Sequence, residues 1–396
     1  MFLDLIRRRN PKLIEQAIAL HQAGRLPANS YVIDVDAVEE NARVIASAAG
    51  KLGLKVFAMT KQMGRNPSFC QAAARGGIVS AVAVDMEDAR ATCRAGLALG
   101  HIGHLVQIPK FEADAAAALS PDYWTVFNSE KAAEAAAASH RRGRVQPLLA
   151  RIQAEGDRFY RGHEGGFPAA DILRVADAFD ALPGGRFAGI TSFPALLFDP
   201  ATRSVKTTPN LETLRRAREA LAKAGRKDIE VNAPGTTSAK VLAFLAEAGA
   251  TQVEPGHGLT GTTPLHVVED LPERPAVVYL TEVSHFAGGE AYCFGGGLYI
   301  DPVFPDYDVK AIVSSEPTAS AAALKSVEIP SPAAIDYYGM IKGGASAARV
   351  GDSVVFGFRP QAFVTRAYVV GLSGLARCAP RVEGVHDAFG RAVAWP

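Results

Sequence analysis

The sequence predicts an α/β protein: a closed (β/α)8 barrel of the TIM type joined to a C-terminal, mostly β domain. Three observations carry this. From about Lys55 to Pro264, short β-rich runs alternate with alanine-rich helical runs. Strands that alternate with helices form a parallel sheet, and eight such units in about 200–250 residues suit a closed barrel. After Pro264 the alternation stops, and strand-like runs separated by Gly, Pro and Asp turns take over.

Taken in order, Leu3–Ala23 carries apolar positions at helical spacing (Leu5, Ile6, Leu13, Ile14, Ala17, Ile18), broken at Asn10-Pro11 into two short helices. A strand at Tyr31–Val35 and a helix at Asp36–Ala49 follow. The expected barrel strands are Lys55–Thr60, Val79–Val84, His104–Ile108, Trp124–Asn128, Gln146–Gln153, Phe187–Phe193, Ile229–Asn232 and Ala250–Glu254. Between them the helical pattern covers Pro67–Arg75, Met86–Ala95, Ser129–Arg142, Ala169–Ala181, Asn210–Ala224 and Ser238–Ala248. The expected division is an N-terminal helical segment (1–30), a barrel domain (31–264) and a β domain (265–396).

Composition narrows the function classes. The 396 residues are 48% apolar and 21% charged with a formal net charge of +1, which argues against an electrostatic grip on nucleic acid or membrane. Four cysteines (Cys70, Cys93, Cys293, Cys378) lie far apart without CxxC spacing, so neither a zinc site nor a disulfide framework is expected. The N-terminal stretch lacks a signal peptide's apolar core, and the expected compartment is the reduced cytoplasm.

Barrel enzymes keep their chemistry at the carboxyl ends of strands. The first strand delivers Lys61 and breaks into the turn Gln62-Met63-Gly64-Arg65-Asn66-Pro67. A lysine held there is poorly solvated, which favours a neutral, nucleophilic amine able to form a Schiff base. Strand five leads to Arg151 and the loop to Arg161, strand six ends in Thr191-Ser192-Phe193, and strand seven in Asn232-Ala233-Pro234-Gly235-Thr236-Thr237-Ser238. The last of these, with hydroxyls and free N–H groups opening a helix, and the turn Gly256-His257-Gly258 after strand eight have the makings of a phosphate site. Glu254 ends an apolar strand at the barrel mouth, where a carboxylate needs a cationic partner, and a protonated pyridine nitrogen is one. Lysine, phosphate loops and acid together describe a site for pyridoxal 5′-phosphate.

On these residues the chain resembles the fold-type-III pyridoxal-phosphate enzymes, the alanine racemase and ornithine decarboxylase group, from Tyr31 to Tyr368, and more narrowly an alanine-racemase-like branch. The resemblance implies that Lys61 bears the cofactor and that Arg65 sits near its phosphate. Cofactor contacts are expected from Ser192, Asn232, Gly235, Thr236, Thr237, Ser238, Glu254, Gly256 and His257. Val253-Glu254-Pro255-Gly256 matches the family's eighth-strand motif, with glutamate as in the decarboxylases where alanine racemases have arginine. A glutamate favours a protonated ring and a stronger electron sink.

The same resemblance implies a homodimer with shared active sites, closed by the partner's β domain. His285 stands in place of the alanine racemases' catalytic tyrosine, and Cys293 is the rival candidate. Arg161, Tyr337 and Arg359 are the candidates to hold an amino-acid substrate, and no catalytic metal is expected. His101 and His104 are read as lying at the start of strand three, away from the catalytic face. His21, His140, His266 and His386 are read as surface positions. The expected activity is amino-acid racemisation or epimerisation; the alternatives are a decarboxylase or lyase on the same cofactor, a non-catalytic carrier of it, and a lysine aldolase without coenzyme.

Overall fold

In the computed structural model, which describes residues 1–331, 333–346 and 348–395, the chain sorts into two compact units. The first comprises Met1–Ala42, Lys61–Gly76 and the chain from His257 on, and the second Arg43–Thr60 with Gly77–Gly256.

The second unit is the barrel. Its strands are Lys55–Val56, continued after Phe57 as Ala58–Met59, then Ser80–Ala83, Ala98–Ile102, Tyr123–Val126, Gln146–Gln153, Gly185–Thr191, Glu230–Asn232 and Gln252–Val253. Each pairs in parallel with the next, and Val253 pairs back with Val56, which closes the ring. Small residues on the strands let the interior fill tightly. A Cβ on Gly100 would meet the Phe57 ring at 2.3 Å, so the third strand needs glycine where that ring crosses. Helices start where short polar side chains cap them: Asp85 accepts from the Asp88 N–H at 2.8 Å, and Asn128 from the Lys131 N–H at 2.9 Å.

The expected third strand is displaced. It runs over Ala98–Ile102, not His104–Ile108. Gly103 turns the chain at φ +75°, and Gln107 pins the segment beyond it as a loop through bonds to Gly103 O (3.1 Å), Thr125 O (3.2 Å) and the Phe127 N–H (3.0 Å). The other barrel strands fall within a few residues of expectation.

The first unit is built on one long, mainly antiparallel sheet. The strand Ser30–Asp34, which the sequence division grouped with the barrel, pairs antiparallel with Val277–Ala287 and parallel with Tyr368–Ser373 near the middle of that sheet. The helices Phe2–Arg9 and Pro11–Gln22 break at Asn10 as the sequence suggests and put Ile6, Leu13, Ile14, Ala17 and Ile18 into one core with Val32, Val278, Leu280, Ile312, Val355 and Val370. Among the described residues no helix is long and apolar enough to cross a membrane.

Ile14 is fully buried in that core. Ile14→Ala is expected to lower stability by about 2–5 kcal/mol, read as a lower denaturant midpoint at unchanged slope; a midpoint within error of the parent would refute this packing.

Candidate active site

The carboxyl ends of the barrel strands carry a buried polar cluster. Glu254, directly after Gln252–Val253, is 5% exposed. Its Oε1 accepts from His101 Nδ1 at 2.8 Å and from Asn232 Nδ2 at 2.9 Å. Asn232 is itself held by the Thr191 hydroxyl, which donates to its Oδ1 at 2.8 Å. Glu254 Oε2 faces His104 Nε2 at 3.1 Å but has no hydrogen-bond partner among the described residues. Burial pushes the Glu254 pKa up, but the facing His104 and the bonds from His101 and Asn232 outweigh it, so the carboxyl titrates below its usual range.

His101 and His104 were expected away from the catalytic face. The shifted third strand puts His101 near its carboxyl end and His104 two residues beyond that end, both beside Glu254. The signal available in the sequence was the glycine pair Gly100 and Gly103, which allows a strand to end between them and turn. Rings continue outward from the histidines: His104 lies 5.8 Å from Phe193, which lies 5.9 Å from Tyr160 and 6.2 Å from His163.

The other strand ends are less open than the sequence suggested. Ser192 is buried, with its Oγ accepting from Asn210 Nδ2 at 3.1 Å. Gly235 presses on the backbone of Leu196, which a Cβ would meet at 2.6 Å, and the Thr236 N–H donates to Leu196 O at 3.2 Å. Thr237 and Ser238 are buried, and the Thr237 hydroxyl donates to Gly235 O at 3.3 Å. The segment opens a short 3-10 turn and then a helix of six residues, Leu242–Glu247, so the expected full helix dipole is reduced to a short one. Arg151 is almost fully buried, donating to Gly165 O at 3.1 Å and to His163 O, with Phe127 against its guanidinium; it anchors the loop that carries Arg161, which is exposed.

In the first unit, Lys61 opens a 3-10 turn, Lys61–Met63, and its Nζ lies 5.1 Å from the centre of the Phe363 ring. Arg65 takes a left-handed conformation (φ +53°), donates to Ala388 O at 3.1 Å, and lies 5.5 Å from both Phe363 and Phe389. Asn66 then caps the helix Pro67–Arg75, accepting from the Phe69 N–H at 3.1 Å. His257 Nε2 lies 2.8 Å from Pro360 O. Burial, with the Arg359 and Lys61 cations nearby, holds the His257 pKa down to about 3, so the ring is neutral at pH 7.

Three expectations need correction. Cys293 is a core residue, fully buried, with burial pushing its thiol up to about 12, which disfavours the thiolate. Arg359 is not a free clamp for a substrate carboxylate: Nε and Nη2 donate to the two oxygens of the buried Asp301 at 2.7 and 2.6 Å. His266, read as a surface position, is fully buried with Nδ1 2.7 Å from the Thr263 hydroxyl; His21 and His386 are also buried. His285 is half-buried, stacked on Tyr292 at 4.7 Å with Tyr338 edge-on at 4.9 Å, and Tyr337 is exposed.

A parallel eight-stranded barrel with a buried acid at its mouth, followed by a largely antiparallel β unit, defines the fold of the alanine racemases. The chain belongs to the alanine racemase N-terminal domain family, whose model matches residues 33–264, and residues 278–382 match the YhfX-like C-terminal domain. The cofactor of this family is pyridoxal 5′-phosphate, and the chain is a pyridoxal-phosphate-dependent amino-acid enzyme. It is 39% identical over 393 residues to the uncharacterised protein YhfX of Escherichia coli (strain K12), covering 99% of this chain and 100% of that protein. Among solved structures it resembles D-threonine aldolase from Filomicrobium marinum (16% identity, TM-score 0.65, 93% of this chain and 96% of that one). It also resembles alanine racemase from Clostridium difficile (13% identity, TM-score 0.64, 92% and 99%).

Burial lowers the pKa of both His257 and His266 to about 3. The unfolded chain binds protons near pH 6.5 that the folded chain refuses. Their contribution is therefore complete above pH about 6.5 and is lost as the pH falls towards the folded value. His266→Gln is expected to flatten the loss of stability between pH 6.5 and 4, measured by urea unfolding at several pH values. An unchanged slope would show that His266 titrates normally.

Proposed function

We propose that this protein is an amino-acid racemase or epimerase that works at the α-carbon with pyridoxal 5′-phosphate. Glu254 carries the reading. Its Oε1 is saturated by two donors, while its buried Oε2 has no hydrogen bond among the described residues and faces His104 Nε2 at 3.1 Å. A buried acceptor without a donor costs about 1–3 kcal/mol, more when charged, and a protonated pyridine nitrogen is the donor this family's cofactor brings. The residues present therefore fit the cofactor.

Bound here, the cofactor withdraws electron density from the α-carbon of an amino acid joined to it. Glu254 holds the proton on the ring nitrogen. Lys61 would hold the cofactor covalently and would move a proton at one face of the α-carbon. Gly235, Thr236, Thr237, Ser238 and Gly256, with Arg65 and the neutral His257, are the phosphate-binding set. Ser192 and Asn232 line the ring. Arg161 and Tyr337 remain the candidates to hold the substrate.

Racemisation needs an acid or base on the second face as well. His285 is our choice, supplied by the second copy in a homodimer. Its half-exposed place on the strand Val277–Ala287, held by Tyr292 and Tyr338, supports this. The burial of Cys293 favours His285 over it.

Incubated in deuterium oxide with single-enantiomer amino acids, the protein is expected to wash deuterium into the α-carbon and to yield the opposite enantiomer. Release of carbon dioxide or a keto acid instead would replace this reading with a decarboxylase or lyase. Lys61→Ala is expected to abolish covalent labelling by the cofactor after borohydride reduction; a labelled peptide mapped to another lysine would move the anchor. Mixed Lys61→Ala and His285→Ala subunits are expected to recover part of the activity in hybrid dimers, and no recovery with proven subunit exchange would exclude His285 in trans.

A further inference from the structure

His101 has no role in the reading so far, yet it is fully buried and bonded at both ring nitrogens. Nδ1 lies 2.8 Å from Glu254 Oε1, and Nε2 lies 2.5 Å from the buried Thr125 Oγ1. An ionised carboxylate only accepts, so Nδ1 must carry a proton. Nε2 shares a hydrogen bond with the Thr125 hydroxyl, which fixes the ring so that Nδ1–H points at Glu254. The strand register places these groups: His101 pairs with Tyr123 and Ile102 with Trp124, so Thr125 follows one residue beyond that pairing, toward the mouth. Asn232, on the opposite side, completes the saturation of Oε1.

We propose that His101, held in place by Thr125, is a positioning residue that keeps Glu254 ionised and turned so that Oε2 faces the cofactor's ring nitrogen. This rests on the assignment of Glu254 to the ring nitrogen. The physical basis is that a carboxylate in a buried site stays charged only while donors satisfy it. With His101 gone, Oε1 keeps only the Asn232 donor and His104 alone stands beside Oε2, so the balance shifts towards the protonated acid, which favours a pyridinium less. The chain Thr125–His101–Glu254 thereby controls how strongly the cofactor withdraws electrons without itself touching substrate.

The test uses full-length protein loaded with pyridoxal 5′-phosphate carrying 15N in the ring, whose chemical shift reports whether that nitrogen is protonated. The parent is expected to give the pyridinium signal. His101→Phe keeps the ring shape without donors and should move the signal towards neutral pyridine. His101→Asn, whose amide N–H can stand near Nδ1, should restore most of it, and Thr125→Val should produce an intermediate shift. A folded His101→Phe protein, checked by circular dichroism, with an unchanged signal would overturn the proposal; if that variant does not fold, Thr125→Val decides in the same way. Glu254→Gln separates the two readings: if it leaves the signal unmoved, the Glu254 assignment fails, whereas if it moves the signal and the His101 and Thr125 variants do not, only this inference fails. His101, His104 and Glu254 also bring ligating atoms within 4.8 Å of one another, so stoichiometric metal in the purified protein that is lost in His101→Phe would overturn the proposal in favour of a cation site.

Discussion

A carboxylate buried at the mouth of a parallel barrel is the constraint on which the site depends. Removing such a charge from water carries a penalty of several kcal/mol unless donors replace the lost solvent. Glu254 meets that requirement with Asn232 from the seventh strand and His101 from the third, while His104 stands beside its other oxygen. Each donor is fixed by a further partner, Thr191 behind Asn232 and Thr125 behind His101. Four strands of the barrel, together with the residue that follows the eighth, are thus tied to a single side chain, and their polar interior residues are intelligible only through it.

The first unit solves a different electrostatic problem. Lys61 and Arg65 are two cations four residues apart that both lie over Phe363. An aromatic face accommodates positive charge through its quadrupole without adding a carboxylate that would neutralise the amine. His257 is kept neutral by the same cations and by burial. Arg359 is tied off by Asp301, so its charge is compensated within the unit.

Family membership and reaction type separate at the mouth of the barrel. The fold and the family set the cofactor, and Glu254, the acid we propose for its ring nitrogen, is supported by His101 and Asn232. A supported acid suits chemistry that builds substantial negative charge at the α-carbon. Proteins of this fold with aldolase and racemase names share it at 13–16% identity, so the fold restricts the cofactor's position more than the bond that breaks.

Read from the chain, the period of strands and helices announced the barrel, and Asn10-Pro11 announced the break between two N-terminal helices, because local patterning and proline chemistry act over a few residues. Lys61 and Glu254 were legible for the same reason: a strand end is a local event, and the carboxyl end of a barrel strand has a known use. The third strand was misplaced since His104–Ile108 is as apolar as Ala98–Ile102. What decides between them is the Phe57 ring against Gly100 and the Gln107 bonds to Gly103 and Thr125, all long-range. The two histidines beside Glu254 were misread with it. The pairing of Arg359 with Asp301, 58 residues away, and the burial of Cys293 were likewise set by how strands of the β unit come together. The sequence by itself determined the fold class and the places of Lys61 and Glu254 near strand ends; the tertiary structure decided which polar groups share the acid, because hydrogen bonds between strands depend on register, which no local pattern encodes.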